Sequence, residues 1–135
     1  MYQEKVKELA EKVKDFDPYF NSSDSEKFLI ELQWELDEVK YEYKEWNYSK
    51  LEWEIWDVYW NFLIFLEHLS SEWKIEKENV FKKIYEKMAW RKSFLLENKK
   101  VTKEEAMKIW NDAKTKEWYP KDRLWDEKRE ILENT

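Results

Sequence analysis

What most constrains this chain is an absence: its 135 residues include no glycine and only two prolines. Glycine enters the left-handed region of backbone space without penalty. Without it, tight β-hairpin turns, bulges and phosphate-cradling loops lose their usual residue. What stays open is a set of helices joined by short polar loops. A content of 42% hydrophobic and 41% charged residues suits helices that bury one face and solvate the other. The sequence predicts an all-α helical bundle built on an antiparallel helix hairpin. The missing glycines also exclude a Walker loop, a G-x-G-x-x-G fingerprint and a G-x-S-x-G elbow, so any phosphate must be held by side chains and metal. With no cysteine and one histidine, disulfides and thiol nucleophiles are excluded and zinc is disfavoured.

Val6, Leu9, Ala10 and Val13 recur at helical spacing over Tyr2 to Lys14. Asp15-Phe16-Asp17-Pro18 stops that helix, because the residue before a proline avoids the helical region. A polar loop over Asn21 to Ser25 follows. Ser23 and Glu26 read as a capping box opening a helix to about Glu45, with Leu29, Leu32, Leu36, Val39 and Tyr43 on its core face and an acidic stripe beside them. Ser49 and Glu52 repeat the box for a helix from Lys50 to about Leu69 that is apolar on nearly every side. Such a helix is buried all round, which predicts that a second copy of the chain completes the bundle. Beyond Ser70-Ser71, a helix over about Glu76 to Phe94 carries Val80, Ile84, Met88 and Leu95 toward the core. Thr102 with Glu105 caps another, to about Lys116, which Trp118-Tyr119-Pro120 ends. Lys121 to Glu133 places Leu124, Trp125, Lys128, Ile131 and Leu132 on one face, as a docking helix or an arm to a partner subunit. The expected division is a main domain over residues 1–116 and a helical tail over 117–135.

Within the hairpin, Glu35 and Glu38 stand three apart, as do Glu54 and Asp57. At about 100° per residue, Glu31, Glu35, Glu38 and Glu42 share an arc of about 60°, and Lys50, Glu54 and Asp57 share another on the next helix. Counting about 1.5 Å per residue from the turn puts Glu38 and Asp57 at one height, so four carboxylates converge. A solvated acidic face is the plainer reading of each pair by itself. If the two arcs meet, their repulsion calls for a cation, and oxygen ligands without Cys or His select Mg²⁺ or Mn²⁺ over Zn²⁺. His68 reads as an ordinary helix-end residue, and Phe65 before it breaks the E-x-x-H pattern of di-iron bundles. A net charge of −6 disfavours polymeric nucleic acid. The longest uncharged run, Val58 to Leu66, falls far short of the about twenty residues that span a bilayer. No membrane and a cytoplasmic location are therefore expected.

In this order the residues resemble the MazG-like nucleoside triphosphate pyrophosphohydrolases of the all-α NTP pyrophosphatase superfamily, whose core motif is E-x-x-E, a spacer, then E-x-x-D. Lys50, four residues before Glu54, matches the family's lysine. Lys87-Met88-Ala89-Trp90-Arg91 matches K-x-x-x-R, and Trp110-Asn111-Asp112-Ala113-Lys114 matches W-x-x-x-K. The resemblance covers roughly Asp17 to Glu117. It departs where many members carry doubled acids and this chain has Trp34 and Trp53, and in the apolar Lys92-Ser93-Phe94-Leu95-Leu96 after K-x-x-x-R. The resemblance implies Mg²⁺-dependent hydrolysis, with Mn²⁺ possible, of nucleoside triphosphates to monophosphate and pyrophosphate, as nucleotide-pool house-cleaning. It makes Glu35, Glu38, Glu54 and Asp57 the metal-binding catalytic set. Lys50, Lys87, Arg91 and Lys114 are implied at the phosphates, with Trp110 beside the nucleotide. Trp34 and Trp53, next to the acidic arcs, are candidates for contact with the base, while most other tryptophans are expected to pack. The self-assembly is expected to be a homodimer or homotetramer. A nucleotide-sensing module without turnover and a ligand-free oligomerisation scaffold are the alternatives.

Overall fold

The computed structural model describes residues 1–116 and 125–134. Among them the chain is all-α, as its composition predicts. The helices are α1 (Tyr2–Glu11), α2 (Val13–Phe16), α3 (Pro18–Ser22), α4 (Ser25–Lys44), α5 (Tyr48–Ser71), α6 (Lys77–Arg91), α7 (Lys103–Lys116) and α8 (Trp125–Glu133), with a 3-10 turn over Ser93–Leu95. The chain forms two compact units, Met1–Phe81 and Lys82–Thr135, divided within α6. The expected stop at Trp118-Tyr119-Pro120, and Leu124 of the tail, lie outside the described residues. No helix among those described is long and apolar enough to cross a membrane.

In the first unit α4 packs against α5, and α1 and α2 lie against α5. Ala10, Val13, Phe20, Phe28, Leu63 and Ile64 are buried together, with Val6, Trp60, Phe62, Phe65 and Phe81 half-buried around them. Phe20 and Phe28 are the largest fully buried side chains. Burying such a ring contributes about 1.5–3 kcal/mol, so this end of the hairpin is the apolar anchor of the unit. Lys77 ties α6 to it, its ammonium 2.7 Å from Glu67 and 3.6 Å from Glu11. The second unit holds Ala113 and Arg91 buried.

Several expectations about faces are corrected. Leu9, Leu29, Leu36 and Tyr43 are exposed, as are Ile84 and Leu95. In the single chain the burial of α5 is concentrated at Leu63, Ile64, Leu66 and His68, and Trp53, Ile55, Trp56 and Tyr59 stand exposed. On α4 the packed positions are Phe28, Leu32, Glu35, Val39 and Glu42, so the acidic stripe belongs to the seam itself.

The helix starts also differ in detail. Asp17 caps α3 by accepting from the Tyr19 N–H at 2.9 Å, and Pro18 fills the first helical position, turning much of the expected loop into a short helix. Ser23 does not cap α4, because its hydroxyl is donated to the Tyr19 carbonyl; Asp24 accepts from the Lys27 N–H instead. Asn47 rather than Ser49 caps α5, and the Ser49 hydroxyl donates to that same Asn47 oxygen. Thr102 accepts from the Glu105 N–H at 3.1 Å, as its capping box predicts.

A chain without glycine still needs left-handed residues to end its helices. Trp46, Trp73 and Asn98 take that place, with φ of 58°, 62° and 53°. Each closes a Schellman pattern. The Asn47 N–H reaches the Glu42 carbonyl, that of Lys74 reaches Leu69, and that of Lys99 reaches Phe94, at 3.0–3.1 Å. A side chain with a Cβ pays about 1–2 kcal/mol for this conformation. Trp73 is 93% exposed and has little packing to lose. Trp73→Gly is therefore expected to stabilise the protein by about 1 kcal/mol, seen as a rise of about 3–6 °C in a thermal melt; an unchanged or lower Tm would contradict the strain assigned to this position.

Candidate metal centre

The centre is made by two helices and the turn between them. The Schellman closure at Trp46 and the Asn47 cap turn the chain directly from α4 into α5, placing the two i, i+3 acid pairs across the seam. Carboxylate oxygens of Glu35, Glu38, Glu54 and Asp57, one from each residue, all lie within 4.8 Å of one another. The outer acids of the stripe have partners in the same unit. Glu31 accepts from the Tyr19 hydroxyl, and the largely buried Glu42 pairs with the Lys50 ammonium at 3.9 Å. The inner four face each other. One oxygen of Glu35 and one of Glu54 are covered and have no hydrogen-bond partner among the described residues.

This arrangement shifts Glu35, Glu54 and Asp57 toward their protonated forms. Burial, then the charges of Glu38 and Asp57, push the Glu35 carboxyl up from an ordinary 4.5 to about 7. A proton shared with Glu38, then burial and neighbouring charge, raises Glu54. Burial and the Glu38 charge raise Asp57. Carboxylates can share a proton, or they can share a cation. An all-oxygen set from four acids fits a hard divalent ion, and the two covered, partnerless oxygens supply unused acceptors for it. A cleft of about 350 Å³ opens beside the set, lined by Asp37, Glu38, Tyr41, Glu42, Lys50 and Glu54. Asp37 and Tyr41 were not singled out in the sequence, although both lie one turn or less from Glu38.

The other residues named from sequence fall into two groups. Trp34 and Trp53 are 61% and 70% exposed on α4 and α5, in the same unit as the acids. In the second unit Lys87 and Lys114 are exposed. Arg91 is buried, its guanidinium carbon 4.9 Å above the Trp110 ring, and the Lys92 ammonium lies 5.7 Å from that ring. Trp110 is thus engaged by a cation–π contact within its own unit. It also lines a second cleft, of about 270 Å³, with Lys92, Lys103, Ala106, Met107 and Asn111.

No family model and no curated protein matches the chain. Among solved structures it is similar to the crystal structure of a mazG-related protein from Thermotoga maritima, at 30% identity and a TM-score of 0.79, the match covering 84% of this chain and 99% of that one.

The raised acids give the metal-free protein a defined pH dependence. Between about 4.5 and about 7 the folded chain holds a proton at Glu35 that the unfolded chain has released. That contribution to stability is present on the acid side and is lost as pH rises to about 7. Glu35→Gln is accordingly expected to raise the Tm of chelator-treated protein at pH 8 and to change it little at pH 5. Thermal melts at the two pH values check this, and equal shifts at both would contradict it.

Proposed function

The chain belongs to the MazG-related family, and on that premise we propose that it hydrolyses nucleoside triphosphates, ribo or deoxy, to nucleoside monophosphate and pyrophosphate, using Mg²⁺ or Mn²⁺. The observation that carries this reading is the convergence of Glu35, Glu38, Glu54 and Asp57 within 4.8 Å, two of them with covered oxygens and no partner. These four residues would hold the ion. When bound, a divalent ion neutralises triphosphate charge and acidifies water for attack at phosphorus. In the reaction a water oxygen bonds to the α-phosphorus while its proton passes to a neighbouring carboxylate, the bond from that phosphorus to the α–β bridging oxygen breaks, and pyrophosphate leaves with that oxygen.

Lys50 stands on the cleft wall one turn before Glu54, where its ammonium would offer a point charge to phosphate. Trp34 and Trp53 present exposed rings on which a base can stack. Lys87, Arg91, Trp110 and Lys114 enter the proposal from their motif positions alone, as phosphate and nucleotide contacts. A cytoplasmic setting and a house-cleaning role belong to the same reading. So does assembly as a homodimer or homotetramer, supported by the exposed apolar side chains Leu36, Tyr43, Ile55, Trp56 and Tyr59 on α4 and α5. Light scattering at micromolar concentration should give a multiple of the 17.1 kDa chain mass, and a monomer mass would remove the assembly from the proposal.

Incubation with Mg²⁺ and a panel of NTPs and dNTPs tests the chemistry, with products resolved by chromatography. Monophosphate and pyrophosphate are expected. Glu38→Ala and Asp57→Ala should lower the rate by at least about tenfold to a hundredfold, the loss typical even of residues that only support a metal ligand. Diphosphate and phosphate as products would assign the wrong bond, and no turnover together with Mg²⁺ binding in calorimetry would leave a nucleotide-sensing module.

A further inference from the structure

Glu42 lies one turn beyond Glu38 on the seam of α4 and is buried, at 7% exposure, yet it is not one of the four acids that converge. A carboxylate taken out of water calls for a partner of opposite charge. That partner is Lys50, whose ammonium stands 3.9 Å away across the hairpin turn. Both side chains line the cleft of about 350 Å³ that opens beside the acids.

Asn47 fixes both ends of the pair. Its N–H is donated to the Glu42 carbonyl at 3.1 Å, and its side-chain oxygen accepts the Lys50 N–H at 3.4 Å. One residue of the turn therefore sets the two backbones from which the charges reach each other. At 3.9 Å the contact is one of charge, too long for a hydrogen bond, so it does not use up the three donors of the ammonium.

Lys50 has a second acid near it. Glu54 follows four residues later on the same face of α5, where helix neighbours stand about 5–6 Å apart at Cβ. Glu54 is crowded by like charges, and an ammonium would relieve them. One of its oxygens is nevertheless covered and has no hydrogen-bond partner among the described residues. The lysine one turn away is paired with Glu42 instead.

We infer that Glu42 is a positioning residue: by pairing with Lys50 across the turn it keeps that ammonium from neutralising Glu54, which leaves the four-acid set open to a cation and the lysine donors open to an anion in the same cleft. Holding Lys50 off Glu54 is a property of the metal-free chain. Only the identity of the anion, a nucleoside triphosphate, rests on the function proposed above.

Calorimetry with Mg²⁺ alone reads the effect. Glu42→Gln nearly keeps the side-chain shape and removes the charge that holds Lys50, and Mg²⁺ affinity is expected to fall by about tenfold, as for other groups that support metal ligands. Loss of a nearby negative charge would weaken cation binding by itself, so the same substitution is made in a Lys50→Met background, where no ammonium can turn to Glu54. There the loss should be much smaller, and equal losses in the two backgrounds overturn the proposal. A second readout, in chelator, needs no metal. The effects of Lys50→Met and Glu54→Gln on Tm should add in the parent chain and become non-additive in Glu42→Gln, as they do for groups in contact; effects that add in both chains overturn the proposal. Should Glu42→Gln fail to fold, Glu42→Asp draws the carboxylate back by one methylene and is put through the same two comparisons. A parent chain that binds no Mg²⁺ would remove the Mg²⁺-dependent function and leave the thermal comparison to decide on Glu42.

Discussion

The repulsion among four carboxylates is the constraint around which the first unit is arranged. Glu35, Glu38, Glu54 and Asp57 occupy seam positions on α4 and α5 that an ordinary helix pair fills with leucine, and their oxygens crowd within 4.8 Å. Without a proton or a cation the four acids themselves do not hold that seam shut. The ends do. At one end the Schellman closure at Trp46 and the Asn47 cap fix the turn; at the other, Phe20, Phe28, Leu63 and Ile64 bury together and His68 bridges the helices. An apolar and hydrogen-bonded frame thus holds a centre that would push itself apart.

That division of labour explains which parts were legible in the sequence. The acid pairs were, because i, i+3 spacing and a direct helical turn are local geometry, and local geometry survives whatever the rest of the chain does. The rotation of α4 was not. Counting apolar residues assigned the core to Leu29, Leu36 and Tyr43, yet the helix turns Phe28, Glu35 and Glu42 inward and leaves those three exposed. A seam that carries acids breaks the apolar pattern at the candidate site, and functional sites are where such violations are expected. His68 was read as incidental because its partners, Ser23 and Ser25, lie far away in sequence and carry no periodic signal. At the caps, neighbouring residues were equally competent, and the choice fell to hydrogen bonds made elsewhere, such as the Ser23 hydroxyl given to Tyr19.

The second unit shows how one residue can fit a motif and a core equally well. Arg91 and Trp110 come from two separate motif fragments, and they are in contact, guanidinium over ring, with Arg91 buried. A cation held on an aromatic face keeps its charge and loses its freedom to wander.

The absence of glycine reaches beyond the folded state. Glycine is the residue whose unfolded backbone explores the most conformations, so its removal everywhere narrows the denatured ensemble and lessens what ordering the chain must overcome. Among the described residues, the two tryptophans and the asparagine in left-handed positions are the local cost of that choice. Each of the remaining residues enters the folding reaction with a backbone already more restricted than glycine would give it.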